Sequence, residues 1–345
     1  MILEGNHMVL NMLNIKKGSF ICLFFVFLFY GCNPSSDDNV SENKLAGNAL
    51  GTTYHITYLG NEIEGLQLGI DSIIVSFNYG LSTYDSNSFI SQFNNNIPVL
   101  KGMLKPGYEH LQIMIDKSKV VHQATGGAFD PSAAQLFKLY DSFKKQHRLM
   151  DTFTQHIASM AKGFQDVQFD EYDILTKNRF RSYNFNAIAK GYFVDILANY
   201  IKSTGSNNYI VEVGGEVHCK GVNSNSAAWN IGINKPEVGA TSDDFFEVIS
   251  LKDNSMATSG NYQNFYEVDG HVIGHTMDPR TGKPVISDLK SVTIIHDECA
   301  IADAYATACM VLGLQESIAL IEKDSSLSAF FIFEVNGVLQ GQHVK

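Results

Sequence analysis

Residues 186–221 read NAIAKGYFVDILANYIKSTGSNNYIVEVGGEVHCKG, and a change of period inside this stretch decides the fold class. From Ala187 onward apolar residues recur at helical spacing; Asn186 is placed to cap the first turn and Gly205 to end the last. At Asn208 the pattern becomes alternation. NYIVEVGG and EVHCKGV read as two strands meeting at Gly214-Gly215.

The same two signals extend outward. TTYHITYL (52–59) alternates as a strand, while IEGLQLGIDSIIVSFNYGL (63–81) and GYEHLQIMIDKSKVVHQAT (107–125) have helical spacing. PSAAQLFKLYDSFKKQ (131–146) reads as a helix with Pro131 in its first turn, and residues 147–180 carry no decisive pattern. Beyond Trp229 come short strands: WNIGIN, FFEVISL, a hairpin turning at Asp269-Gly270, and SVTIIH. The helices CAIADAYATACMVLG (299–313) and QESIALIEK (315–323) follow, and a hairpin about Asn336-Gly337 closes the chain. Strands outnumber helices without regular alternation, so the expectation is an α+β fold, not a doubly wound sheet.

The N-terminus has a separate logic. Lys16 and Lys17 precede the apolar run FICLFFVFLFY (20–30), too short for the roughly 20 residues of a membrane span. It ends in FYGC, which resembles a lipobox, so residues 1–31 are expected to be a lipoprotein signal peptide and Cys32 the lipidated first residue, an uncleaved signal anchor being the alternative. Residues 32–46 read as a flexible tether and 47–345 as the folded domain. The expected location is an exported bacterial lipoprotein, membrane-anchored and facing the periplasm or cell exterior. Loss of residues 1–31 takes the formal net charge from −11 to −12, which argues against nucleic acid as a partner. An acidic protein handling an anionic small molecule needs a local cation. Cys219, Cys299 and Cys309 have no metal-like spacing and read as core residues.

Several stretches carry candidate chemistry. On the helix from Cys299, Asp303 and Thr307 lie one turn apart and project together, opposite Ile301, Tyr305, Ala308 and Leu312. A carboxylate and a hydroxyl so spaced suit Mg²⁺, although such a pair also describes a solvated face. Lys190, one turn into its helix, suits an anion site or an ordinary surface. TGGAFDPS (125–132), VEVGGEV and MATSGNYQNFY offer close backbone approach or hydroxyls to a ligand, and equally read as a loop, a turn and a strand end. GHTMDPRTGKPV (274–285) is polar and rich in turn residues. His275 has an imidazole suited to accept a proton near neutral pH, while Asp278-Pro279-Arg280 reads as a tight turn in which Asp278 orients Arg280.

Taken in order, ALGTTYHITY, LSTYDSNSFISQFN, TGGAFDP, NAIAKGYFVD, NYIVEVGGEVHCKG, WNIGINKP, MATSGNYQNFYEVDG, HTMDPRTGKPV and CAIADAYATACMVLG resemble the ApbE-type FAD:protein FMN transferases, from about residue 49 to 313. The resemblance implies a single large two-lobed α+β domain of T-fold-like type, with mixed sheets and packed helices. It implies that FMN passes from FAD to a Thr or Ser hydroxyl of an acceptor protein, releasing AMP, with Mg²⁺ at the pyrophosphate. Metal ligands would be the Ala187 carbonyl, Asp303 and Thr307. FAD contacts would fall on Leu50, Tyr84, Ala128, Phe129, Asp130, Asn184, Lys190, Glu212, Ser259, Gly260 and His275, with Tyr84 and Phe129 as flat surfaces for the rings. His275 and Asp303 would be catalytic. Implied acceptors are flavin-bearing subunits of membrane electron-transfer complexes. Asn184 stands where the family often has Asp, which changes a hydrogen-bonding group. An Mg²⁺-dependent FAD pyrophosphatase and a non-catalytic flavin-binding lipoprotein are the alternatives.

Overall fold

The structure is a computed structural model that describes residues 41–100, 107–146, 148, 151–152, 156, 164, 167–170, 174–177, 181–237, 239–241, 243–260, 265–268, 271–274, 276–285 and 287–345. The expected signal peptide and Cys32 lie outside the described residues. Residues 40–345 form one compact unit. Among the described residues no helix is long and apolar enough to cross a membrane.

In chain order the strands are β1 Glu42–Ala49, β2 Thr52–Leu59, β3 Val99–Leu100, β4 Gln168–Phe169, β5 Ile174–Thr176, β6 Tyr209–Val213, β7 Glu216–Lys220, β8 Trp229–Asn234, β9 Phe245–Leu251, β10 Ser255–Gly260, β11 Phe265–Val268, β12 His271–Gly274, β13 Met277–Asp278, β14 Lys283–Pro284, β15 Leu289–His296, β16 Ser328–Val335 and β17 Val338–Val344. The helices are α1 Leu66–Leu81, α2 Phe89–Asn94, α3 Tyr108–Ala124, α4 Ala134–Lys145, α5 Asn186–Ser203, α6 Cys299–Leu312 and α7 Leu314–Ile321. Eight strands form one sheet in the order β1-β2-β6-β7-β10-β15-β16-β17, antiparallel at every pairing, and the fold is α+β as expected.

Alternation sorts the sheet into two faces. Tyr54, Ile56, Tyr209, Val211, Val213, Ala257, Val292 and Ile294 join one core with the buried faces of α1, α3, α5 and α6. Val217, Cys219, Met256, Phe330 and Ile332 face the other way, under the hairpin β8–β9 with Trp229 and Leu251. Cys219, Cys299 and Cys309 are buried free thiols, as expected of core residues.

Three local readings change. Residues 42–46, read as tether, belong to β1, an edge strand whose register runs from Glu42↔Leu59 to Ala49↔Thr52. An edge strand with one solvated face is polar at alternate positions, which makes its composition look like that of a linker. Pro131 is not in a helical first turn, because α4 starts at Ala134. Helix α6 has no solvated side: residues from Cys299 to Val311 are buried except Thr307, so Asp303 enters the core with the apolar residues.

Candidate active site

Two tight turns and two helix segments make the site. Leu50 (φ 54) and Gly51 (φ 78) connect the paired residues Ala49 and Thr52, the left-handed geometry of a two-residue hairpin loop. Leucine tolerates this region poorly, so the turn holds it at some strain. Gly214 (φ 58) and Gly215 (φ 100) make the same kind of turn between Val213 and Glu216, close enough to Thr52 that a β-carbon on Gly214 would lie 2.9 Å from its methyl. Leu50 and Gly51 line a cavity of about 530 Å³ with Phe77, Leu81, Tyr84 and Lys190. Tyr84 is 96% exposed at its rim.

Lys190, on the first turns of α5, lies over the β6–β7 turn with Nζ 2.6 and 2.7 Å from the two carboxylate oxygens of Glu216. Val213 faces Glu216 in the register, so Glu216 points to the helix side and is only 2% exposed. Glu212, expected as an FAD contact, is on the opposite face: its carboxylate takes the Gly215 N–H at 2.6 Å and meets His55 Nδ1 at 2.7 Å. The signal that would have found Glu216 is parity, because a two-residue turn between paired residues keeps both on one face.

Asp303 completes this cluster. Gly191 N–H is the donor that helical geometry directs at the Ala187 carbonyl, four residues back. It donates to Asp303 Oδ2 at 3.0 Å, which brings the carboxylate to the side of α5 toward which the Ala187 carbonyl points. The approach requires a glycine: a β-carbon on residue 191 would run into the Cys299 carbonyl and sit 2.8 Å from Asp303 Cβ. One turn further along α6, Thr307 Oγ1 is 3.3 Å from Ser259 Oγ. Those two residues line a smaller cavity of about 210 Å³ with Gly260, Thr276 and Met310. Asp303 thus sits where α6 packs on α5 at Gly191, four residues along from Ala187, with Thr307 one turn further along α6.

The electrostatics follow from burial. Burial pushes the Asp303 carboxyl up, against the pull of Lys190. Burial, then the charge of Asp303, raises Glu216 to about 8, again against Lys190. For Lys190 burial alone would lower the pKa, but Glu216 and Asp303 together raise it. Lys190 is bonded to Glu216 and close enough to Asp303 for the two charges to act on one another, and Thr307 follows Asp303 by one turn. A buried carboxylate and a hydroxyl one turn apart are hard oxygens that fit a divalent cation such as Mg²⁺, whose charge would favour the ionised form that burial opposes. Among the described residues no group of three His, Cys, Asp or Glu side chains could hold a metal, so hydroxyl and peptide oxygens would have to contribute.

The remaining expected residues divide. Asn184 accepts a hydrogen bond from Asn186 N at 2.8 Å through Oδ1 and donates its own N–H to Pro131 O at 2.9 Å, tying the 125–132 loop to the start of α5. Asn186 is therefore not the cap; its amide is taken by Asn184, and no side chain caps α5 at Phe185. Ala128 and Phe129 are buried, and the Phe129 ring packs into the core at 3% exposure instead of offering a flat surface. Its carbonyl accepts a hydrogen bond from His122 Nδ1–H at 2.9 Å. Asp130 accepts from Ser132 N (2.8 Å) and Oγ (2.6 Å), which commits its Oδ1 to the turn before α4. His275 lies outside the described residues, next to the cavity residue Thr276. The stretch after it is the hairpin β13–β14, with Asp278 bonded to the amide (2.8 Å) and guanidinium of Arg280 (3.0 and 3.1 Å), a structural turn as read from the sequence.

The comparisons with known proteins give the family. The model of the ApbE family matches residues 50–331. The chain is similar to the FAD:protein FMN transferase of Vibrio cholerae serotype O1, 31% identical over 315 residues, covering 88% of this chain and 90% of that protein. It is 30% identical to the Haemophilus influenzae FAD:protein FMN transferase over 312 residues, 85% and 87% covered. The crystal structure of Pseudomonas stutzeri flavinyl transferase ApbE in its apo form superposes with a TM-score of 0.76 at 29% identity, covering 89% of this chain and 95% of that one. On the family match over most of its length, this chain belongs to the ApbE family.

Proposed function

We propose that the chain transfers the FMN moiety of FAD to a Thr or Ser hydroxyl of an acceptor protein, with Mg²⁺ as cofactor and AMP as the other product. The observation that supports the reading is the Gly191–Asp303 bond, which holds a buried carboxylate against α5 near the turn that Ala187 opens, one turn of α6 from Thr307. These three would hold the ion. When bound, Mg²⁺ would neutralise pyrophosphate charge and polarise the phosphorus under attack.

The chain's own residues do the rest. Lys190, fixed by Glu216 at the wall of the larger cavity, offers a second positive charge to the dinucleotide. Leu50 and Tyr84 present apolar and aromatic surface to its rings. His275 accepts the proton of the acceptor hydroxyl as its oxygen bonds to the FMN phosphorus and the pyrophosphate bond breaks toward AMP. We also propose that Cys32 carries the lipid, that the domain faces the periplasm or cell exterior, and that acceptors are flavin-bearing subunits of membrane electron-transfer complexes.

The test is incubation of the purified chain with FAD, Mg²⁺ and a candidate acceptor, followed by flavin fluorescence in a denaturing gel. Flavin on the acceptor band supports transfer; free FMN and AMP without labelled protein would identify a pyrophosphatase, and bound but unaltered FAD a carrier. Asp303→Asn keeps an oxygen for the Gly191 amide but loses the charge, and should lower Mg²⁺-dependent labelling on the order of 100-fold. In the same assay His275→Ala should slow labelling at saturating FAD, and an unchanged rate there removes the imidazole from the chemistry.

A further inference from the structure

We propose that Asp195 is a positioning residue for flavin transfer: from α5 it binds the first two amides of α6 and so sets the register in which Asp303 meets Gly191 and the Ala187 carbonyl. The proposal rests on the metal-site reading above. Asp195 Oδ1 accepts from Cys299 N at 2.8 Å and Oδ2 from Ala300 N at 2.9 Å. Those are two of the four amides that a helix leaves unpaired at its start. Glu298, at the N-cap position, makes no side-chain cap bond, so α6 is capped by its neighbour helix.

The difference matters mechanically. A cap from within α6 would satisfy the same amides and leave the helix free to slide on α5. Here the contacts form a reciprocal pair. Asp195 on α5 holds the residue 299–300 amides, and Asp303 on α6 holds the Gly191 amide. Gly191 and Asp195 are one turn apart, as are Cys299 and Asp303, so the two bonds fix antiparallel helices at two points roughly 6 Å apart along the axis. Gly191 lets the backbones close between them. A slip of one residue, about 1.5 Å, would break both bonds. Mg²⁺ demands near-ideal octahedral geometry with ligands at about 2.0–2.1 Å, so it would register a far smaller displacement.

Asp195→Ala and Asp195→Asn test this. The measurements are calorimetric titration with Mg²⁺ in the presence of FAD, hydrogen exchange at the 299–303 amides and at Gly191, and the rate against FAD at saturating Mg²⁺. In the Ala variant the Mg²⁺ half-saturation should rise about 10- to 100-fold, as for removal of groups that orient metal ligands. Gly191 should exchange faster, the KM for FAD should stay within about twofold, and high Mg²⁺ should restore the rate, with the Asn variant intermediate. A variant that melts earlier but keeps its Mg²⁺ half-saturation and its Gly191 protection would reduce Asp195 to a plain helix cap and overturn the proposal. Should the Ala variant fail to fold, the Asn variant is judged by the same readings. Should the wild-type chain bind FAD and Mg²⁺ without labelling any acceptor, the transfer reading fails, while the Mg²⁺ titration still decides the role of Asp195.

Discussion

Gly191 is the residue on which the site depends most sharply. Its missing side chain lets the Cys299 carbonyl and Asp303 approach α5, and its amide holds the Asp303 carboxylate. Gly191→Ala adds one methyl group against backbone atoms, so the helices must separate. That overpacking should cost about 1–3 kcal/mol in urea unfolding, and labelling should fall with it. Retained stability together with full labelling would show that the α5–α6 contact gives way freely. Asp303 and Thr307 were visible in the sequence as an i, i+4 pair, but spacing could not distinguish a metal pair from a solvated face. Burial of α6 at every position from Cys299 to Val311 but Thr307 excludes the solvated face for Asp303, whose 5% exposed carboxylate takes the Gly191 amide as its partner.

Among the elements, strand β7 carries a pH dependence unrelated to catalysis. Burial, reinforced by Lys220, pulls His218 down to about 4, and its Nδ1 is 2.8 Å from Ser255 Oγ. The folded chain therefore refuses a proton that the unfolded chain binds. The resulting stability is fully present above about pH 6.5 and is lost as pH falls through 4, a change of about 3 kcal/mol by linkage. Asp195 acts in the opposite sense: burial raises it to about 7 against the two amides, so its contribution is present below the ordinary carboxylate range and fades as pH rises through 7. Comparing wild type with His218→Gln cancels the Asp195 effect. The variant should show the shallower loss of urea midpoint between pH 6.5 and 4, and parallel curves would refute the assignment. At this scale the period of the sequence located α1, α3, α5, α6 and the hairpins well. It missed β1 and the six-residue α2, because an edge strand and a helix of under two turns leave little periodic signal.

For the whole molecule, the proposed anchor is separable from the domain. Cys32→Ser should abolish incorporation of labelled palmitate and move the protein from the membrane to the soluble fraction, with gel labelling of an acceptor unchanged in rate. Continued palmitate labelling would place the lipid elsewhere or end the lipoprotein reading. The candidate site draws on distant parts of the chain: a turn at 50–51 and a helix start near 190 at the larger cavity, a second turn at 214–215 beside Lys190, and a strand end at 259 with the helix at 303–307 at the smaller one.

The sequence alone determined the alternation and helical spacing that make an α+β chain, and the order of short motifs that marks the family, because both are local and survive being read one stretch at a time. Only the tertiary structure decided that Glu216 and not Glu212 faces Lys190, that Phe129 turns inward, and that Asp195 caps a helix more than a hundred residues away. Strand parity across a turn and the register of two packed helices are properties of pairs of elements. A single stretch of chain carries no record of which partner it will meet.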